Sequence, residues 1–426
     1  MKLPKFISQN LLLKMTSLNA VVIIIRLIIG FFLQREISGI VSKTQYAQIG
    51  NFRNLIAQLS SFTSFGVFNG IVKYVSEHKN NNKELQKLFS TTTVFILIGS
   101  ITAFLILFFG ADFFSEKYFG SSTYAYLIKI TAVVVPFISI QRVFNGFVSG
   151  LSLYKKFSKI ELFAYLISSG LMIIFLYQKQ FEGVIFAIAI TPIIQVIVML
   201  FVMVQIFKEF VKVKEIELKI PYAKPLLAFT LMSFASTIIL NEVEVWVRNS
   251  VEEKLGGDEA GIWTGLLLLS KNYMVFINAI LTLYVLPRFA QISDRIEFTK
   301  ELGKIYKTIL PLFACGMLLI YVFRFFIIDI QFKDDYSAMA PLFKWQLLGD
   351  FVRLASLILA SQFLAKKMVY AFVFSELLSH LLFFGLSILL LDSLGLEAIP
   401  IAHLLRYVVY FAVVLFLVLR HFNRDK

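Results

Sequence analysis

Fifteen charged side chains lie inside stretches of sequence that are otherwise apolar. Ten are basic: Arg26, Arg53, Lys129, Arg142, Arg248, Lys271, Arg324, Lys344, Arg353 and Arg406. Five are acidic: Glu161, Glu242, Glu244, Asp350 and Glu376. Each such group costs about 3 kcal/mol or more in hydrocarbon, so together they must face protein or water. The set is net positive.

Helical spacing shows where several of them point. Thr230, Ser233, Thr237, Asn241, Glu244 and Arg248 follow one another at steps of three or four, which makes one polar stripe along a helix. Thr264, Lys271 and Asn278 recur every seven residues, with Thr282 beyond them. Asn19, Arg26 and Gly30 share a face, as do Arg53, Ala57, Ser60 and Ser64. Gln141, Arg142, Asn145 and Ser149 form another polar cluster, and Asp350 and Arg353 stand three apart. The expected cavity-facing cations are therefore Arg26, Arg53, Arg142 and Lys271, with Arg248 and Arg353 beside them. Asn19, Ser60, Ser64, Asn145, Thr237, Asn241, Thr264 and Asn278 are the expected polar lining. For Glu244 with Arg248, and Asp350 with Arg353, a local ion pair is the competing reading. Lys129, Arg324 and Lys344 lie near outer helix ends, where long side chains reach headgroups.

Nothing in the chain supplies covalent chemistry. It has no phosphate-binding glycine loop, zinc motif or nucleophile elbow. His78, His380, His403 and His421 are scattered without metal spacing, and Cys315 is the single cysteine. No catalytic residue, metal or cofactor is expected, nor a nucleic-acid partner. A buried carboxylate without a basic neighbour could instead take up and release a cation. Glu376 and Glu242, without Lys or Arg within four positions on their own helices, are the first candidates, followed by Asp350 and Glu244.

The elements that must position these residues are transmembrane helices. The chain has 426 residues, of which 58% are hydrophobic, against about 45–50% in soluble domains. Its mean hydropathy is +0.79 and only 16% of residues are charged, which excludes a soluble enzyme. Apolar runs of the length a bilayer requires predict twelve helices, at about 11–33, 50–76, 89–110, 124–150, 158–177, 183–207, 225–249, 261–286, 305–328, 338–365, 368–391 and 398–420. The stretch from Ala20 to Leu33, after Lys2, Lys5 and Lys14, reads as a first span and not as a cleaved signal.

The net charge of +14 is unevenly distributed. If both termini are cytoplasmic, the connections on that side carry twenty-five Lys and Arg and the outer ones six. This bias predicts cytoplasmic termini. The basic stretch near the middle divides the chain into a six-helix bundle at 1–208, a cytoplasmic linker at 209–224 and a second bundle at 225–426. Shifting by 211 residues superposes Arg142 on Arg353 and Lys155 and Lys156 on Lys366 and Lys367. Shifting by 210 superposes Tyr74 and Val75 on Tyr284 and Val285. The halves are thus expected to be parallel repeats around a central cavity.

Three segments resemble Wzx-type flippases, particularly the translocases of O-antigen and enterobacterial common antigen. They are NFRNLIAQLSSFTSFGVFNGIVKYVSEH from Asn51, GIWTGLLLLSKNYMVFINAILTLYVLPRFAQ from Gly261 and WQLLGDFVRLASLILASQFLAKK from Trp345. The resemblance spans both halves. It implies an all-α fold of two six-helix bundles and transport of an undecaprenyl-pyrophosphate-linked oligosaccharide across the bacterial inner membrane. It also implies that the pyrophosphate is held by Arg26, Arg53, Arg142 and Lys271, and by Arg248 and Arg353 beside them, whose donors suit it. A polysaccharide polymerase and a chain-length regulator are the protein partners that this role implies. Lipid II flippases are similar in carrying cations on the first, second and eighth helices, matched here by Arg26, Arg53 and Lys271. The rivals are a cation-coupled multidrug exporter of the same fold and a lipid-linked glycan polymerase or ligase. The first is disfavoured by the excess of positive charge, and the second by the short outer loops.

Overall fold

The computed structural model describes residues 11–424 apart from 152, 211–216, 293 and 334. Among these residues the chain is helical, with no strand. In a bilayer the backbone has no water to bond, so an apolar segment must satisfy its N–H and C=O groups internally, and the helix does so. Eight helical stretches among the described residues are long and apolar enough to cross a membrane, or nine if one bent pair counts as a span. The expected all-α, multi-pass membrane fold is what the chain adopts.

Two compact units divide the chain. One holds residues up to Val41 and Phe52–Phe234; the other holds Ser42–Asn51 and Ala235–Lys426. In the first unit the helices are α1 (Leu11–Ser38), most of α2 (Lys43–Thr63), α3 (Phe68–His78), α4 (Asn82–Phe109), α5 (Ala111–Phe119), α6 (Ala125–Gly150), α7 (Tyr154–Phe210) and α8 (Ala223–Ser233). The α7 stretch is long enough for two crossings and breaks at Gln180, whose φ of 48° leaves the helical region. Between α2 and α3 the chain bends by 46°. Phe65 and Gly66 both take positive φ there, and a Cβ at Gly66 would meet the Ser233 Cβ at 2.4 Å. Ser61 and Ser233 hydroxyls meet close by at 2.8 Å. The core of this end is apolar, with Val67, Ile71, Val75, Leu88, Val143 and Phe147 packed together. The start of α4 is fixed by Asn81, whose side chain accepts from the Glu84 N–H at 3.3 Å.

In the second unit a π-helical turn, Phe234–Ile239, leads into α9 (Leu240–Leu255). There follow α10 (Gly257–Ile280), a second π-helical turn at Leu281–Val285, α11 (Leu286–Gln291), α12 (Arg295–Val322), α13 (Arg324–Gln331), α14 (Leu342–Ala365), α15 (Val369–Leu394) and α16 (Ala398–Arg424). Asp294 caps α12 by accepting from the N–H groups of Ile296 and Glu297 at 2.8 and 3.0 Å. Val243, Val247, Trp263, Phe383, Ile399 and Ala402 form the core between α9, α10, α15 and α16. The lone thiol, Cys315, lies exposed on α12. Large apolar side chains such as Phe109, Phe201 and Leu389 are exposed, as a lipid-facing surface requires.

Candidate functional site

In the first unit the cations are treated differently from one another. Arg26, on α1, donates from Nη1 to Glu161 Oε2 on α7 at 2.9 Å, and its guanidinium lies 5.0 Å from the Tyr165 ring centre. Sequence spacing gave Arg26 no acidic partner, because a partner on another helix is invisible to i+4 counting. Arg142 is half-buried on α6 and stacks over Phe68 of α3 at 4.1 Å from its ring centre. Arg53 is half-buried on α2. Neither Arg53 nor Arg142 has a carboxylate within ion-pair distance among the described residues. The Arg142 guanidinium thus leans its flat apolar face on an aromatic ring and keeps its donors unspent on carboxylates. Ser64 is buried and turns its hydroxyl back to the Ser60 carbonyl at 2.7 Å, so it serves its own helix. Asn145, one turn beyond Arg142, is half-buried. The side chain of Asn19 lies outside the described residues, as does that of Asn278 on α10.

In the second unit three polar assemblies account for the remaining sequence candidates. The first centres on Arg248, which is 1% exposed. Its Nη1 donates to Asn51 Oδ1 at 2.6 Å and its Nε to Thr264 Oγ1 at 2.8 Å, while its guanidinium lies 5.2 Å from the Trp263 ring centre. Asn51 also donates to Asn249 Oδ1 at 2.9 Å. Gly50 makes room for this arrangement, since a Cβ there would stand 2.6 Å from Thr264 Cγ2 and 3.2 Å from Arg248 Cζ. The local pair anticipated between Glu244 and Arg248 gives way to these contacts. Arg248 and Thr264 are therefore structural partners in a closed core, not lining open to a ligand.

The second assembly is the pair that replaces it: Lys271 Nζ donates to Glu244 Oε2 at 2.6 Å, from α10 to α9. One turn before Glu244, Asn241 donates to the Thr237 carbonyl at 2.7 Å across the end of the π turn. Glu242 is half-buried on the same helix.

The third assembly surrounds Asp350, which is fully buried on α14. Its Oδ2 accepts from Ser270 at 2.6 Å, from Tyr273 at 2.5 Å and from Gln346 at 3.0 Å. Its Oδ1 faces His403 Nε2 at 3.0 Å and Arg353 Nη1 at 3.7 Å. Arg406 Nη2 stands 3.0 Å from His403 Nδ1. A guanidinium can only donate, so Nδ1 accepts, and Nε2 carries the hydrogen that Asp350 receives. The expected Asp350–Arg353 pair is present, but it is one contact of five. This carboxylate ties α10, α14 and α16 together. On the neighbouring α15, Glu376 accepts from the Tyr410 hydroxyl at 2.7 Å, and its Oε2 is 3.5 Å from His380 Nε2.

Counting Lys and Arg alone missed the histidines. Glu376 does have a titratable neighbour four residues on, and His403 is three residues from Arg406. Both spacings are visible in the sequence once histidine is included. The pairing of His403 with Asp350 carries no such signal.

A family described as polysaccharide biosynthesis protein matches residues 37–341. A protein of Escherichia coli (strain K12) named lipid III flippase is 26% identical over 379 residues, covering 85% of this chain and 87% of that one. The lipid III flippase of Shigella flexneri matches with the same identity and coverage. Among solved structures, the outward-facing conformation of a multidrug resistance MATE family transporter of the MOP superfamily is similar. It has a TM-score of 0.72 at 13% identity and covers 96% of each chain. At that identity the likeness shows the fold alone.

Proposed function

Because the chain belongs to the polysaccharide biosynthesis protein family, we propose that it is a flippase for an undecaprenyl-pyrophosphate-linked oligosaccharide. It moves this lipid from the cytoplasmic to the periplasmic leaflet by alternating access and performs no covalent chemistry. The observation that carries the reading is the pair of half-buried guanidinium groups, Arg53 and Arg142, free of carboxylates among the described residues. A half-buried cation without an ion partner carries a standing cost unless an anion pairs with it for part of the cycle. A pyrophosphate supplies that anion, and the fork of donors on each Arg matches its oxygens. The names of the relatives from Escherichia coli and Shigella flexneri support a lipid-linked glycan as the cargo.

On this reading Arg53 and Arg142 are the primary anion contacts. Arg26 and Lys271 are secondary, because each must first leave a carboxylate. The chain sits in the bacterial inner membrane with both termini cytoplasmic, and the basic segment at 209–224, of which 211–216 lie outside the described residues, faces the cytoplasm. A polysaccharide polymerase and a chain-length regulator are its partners, and Glu376 or Glu242 couples transport to an ion gradient. The test is complementation of a flippase-deficient strain at matched membrane abundance. Arg53→Ala and Arg142→Ala should abolish growth rescue, and the Lys replacements should retain part of it. Full rescue by both Ala variants would refute the anion site.

A further inference from the structure

A cavity of about 240 Å³ lies within the second unit, where α14, α15 and α16 meet the second π-helical turn. Leu281, Leu286, Leu357 and Phe372 give it apolar walls, and Glu376 and Tyr410 stand in its lining. It occupies the end of the unit that carries Lys366 and Lys367, since Leu364 and Phe372 flank that pair in sequence and both touch the cavity or its rim. A carboxylate in such a wall is unusual, because apolar surroundings offer little to hold its charge.

The neighbour of that carboxylate is more unusual still. His380 is 3% exposed; no side chain reaches its ring nitrogens at normal hydrogen-bond distance among the described residues, and the Ala235 backbone is the polar group that faces the ring. A ring whose N–H goes to the Ala235 carbonyl turns the lone pair of its other nitrogen toward the carboxylate, and an acceptor left unpaired in a buried site costs about 1–3 kcal/mol. Its Nε2 points toward Glu376 Oε2 across 3.5 Å, just beyond a normal hydrogen bond, and the other carboxylate oxygen already accepts from Tyr410. One additional proton would satisfy both groups at once.

We propose that Glu376 and His380 form a proton-binding pair reached from this cavity. The inference rests on the flippase reading and identifies the ion that drives it. A hydronium entering the cavity gives up its proton to Glu376 Oε2, making an O–H bond and leaving water behind. That O–H then donates to the lone pair of His380 Nε2, so the acid stays neutral and the ring uncharged. The charged groups facing the pair are Arg406 on α16, Arg353 on α14 and Glu244 on α9, and Tyr410 is the titratable group in contact. A sodium ion fits poorly here. It needs about six oxygen ligands, and two guanidinium groups stand nearby. The Ser361 hydroxyl in the cavity wall is already committed to the Leu357 carbonyl at 2.9 Å.

The test uses the full chain in lipid vesicles. A hydrophobic carbodiimide adds only to protonated carboxyl groups, and peptide mass mapping of the wild-type protein reads its attachment to Glu376. Labelling should fall about tenfold for each pH unit above its midpoint, as for a single titrating group. It should not change when sodium replaces potassium. Infrared spectra should show a protonated-carboxyl carbonyl band with the same midpoint. Glu376→Gln, which keeps an acceptor for Tyr410, should remove that band. His380→Phe should move it about one pH unit lower, since the neutral acid loses its acceptor. Protection by sodium, or a Glu376 that never labels, would overturn the proposal. Flipping of lipid-linked oligosaccharide, measured in the same vesicles, separates the two ideas. A chain that flips without titrating Glu376 loses only the proton site, and one that titrates without flipping loses the flippase reading.

Discussion

Lys271 Nζ lies 2.6 Å from Glu244 Oε2, which joins the middle of α10 to α9 through one ion pair with unequal members. The lysine side chain is 42% exposed and the glutamate 6%. The pair therefore holds a buried anion in place with a cation that is itself only partly covered. Removing the lysine leaves a buried charge without its partner, whereas removing both charges leaves none.

That asymmetry sets the first prediction. Lys271→Ala should lower the thermal unfolding temperature of the detergent-solubilised protein, and Glu244→Gln in the same chain should recover most of the loss. The coupling between the two changes should be about 1 kcal/mol, kept small by the exposure of the lysine. Strictly additive losses would show that the contact contributes nothing.

Arg248 leads to a prediction about its neighbour on α2. Gly50→Ala places a methyl group 2.6 Å from Thr264 Cγ2 and against the guanidinium, inside a closed core. Overpacking of this kind costs about 1–3 kcal/mol. The expected outcome is reduced membrane abundance and a lower unfolding temperature. Thr264→Ala should partly restore both, since it removes the struck methyl at the cost of one hydrogen bond. Unchanged abundance in Gly50→Ala would mean that the contact is not formed in the membrane.

Arg26 and Glu161 allow a structural pair to be told apart from an anion contact. Arg26→Ala alone strands Glu161, so a loss of flipping has two explanations. In the double variant Arg26→Ala/Glu161→Ala the stranded charge is gone, and abundance should return to that of the parent. If Arg26 also holds the pyrophosphate, flipping stays low despite that recovery. If it does not, flipping returns with abundance. Quantitative immunoblotting beside complementation distinguishes the two results.

The fold was largely legible because it rests on one strong signal. Segments such as 89–110 and 398–420 have to be helical in a bilayer whatever they pack against, and α4 and α16 occupy them. Polar positions were legible only where the partner lay on the same helix. Asp350 and Arg353, at i and i+3, do meet. The pairs Arg26–Glu161 and Lys271–Glu244 join residues 135 and 27 positions apart, and no periodicity reports such contacts. Arg248 shows the opposite error. Its place on a polar stripe suggested exposure to a wet cavity, yet the stripe there faces Asn51 and Thr264 and is sealed. A stripe shows which residues share a face, and only packing decides whether that face meets water or another helix.

Cys315 makes the chain convenient for spectroscopy. It is the single thiol, and it lies on the surface of α12 among side chains such as Leu312, Leu318 and Leu319 that are themselves exposed. A thiol among lipid-facing groups meets uncharged reagents dissolved in the bilayer, while charged water-borne maleimides need an ionised thiol in water. A second cysteine placed in any water-exposed loop would then take up a charged fluorophore alone, with the native residue left in place. Once an uncharged, lipid-soluble dye is then placed on Cys315, distance changes within the second unit become measurable in a chain that carries one substitution.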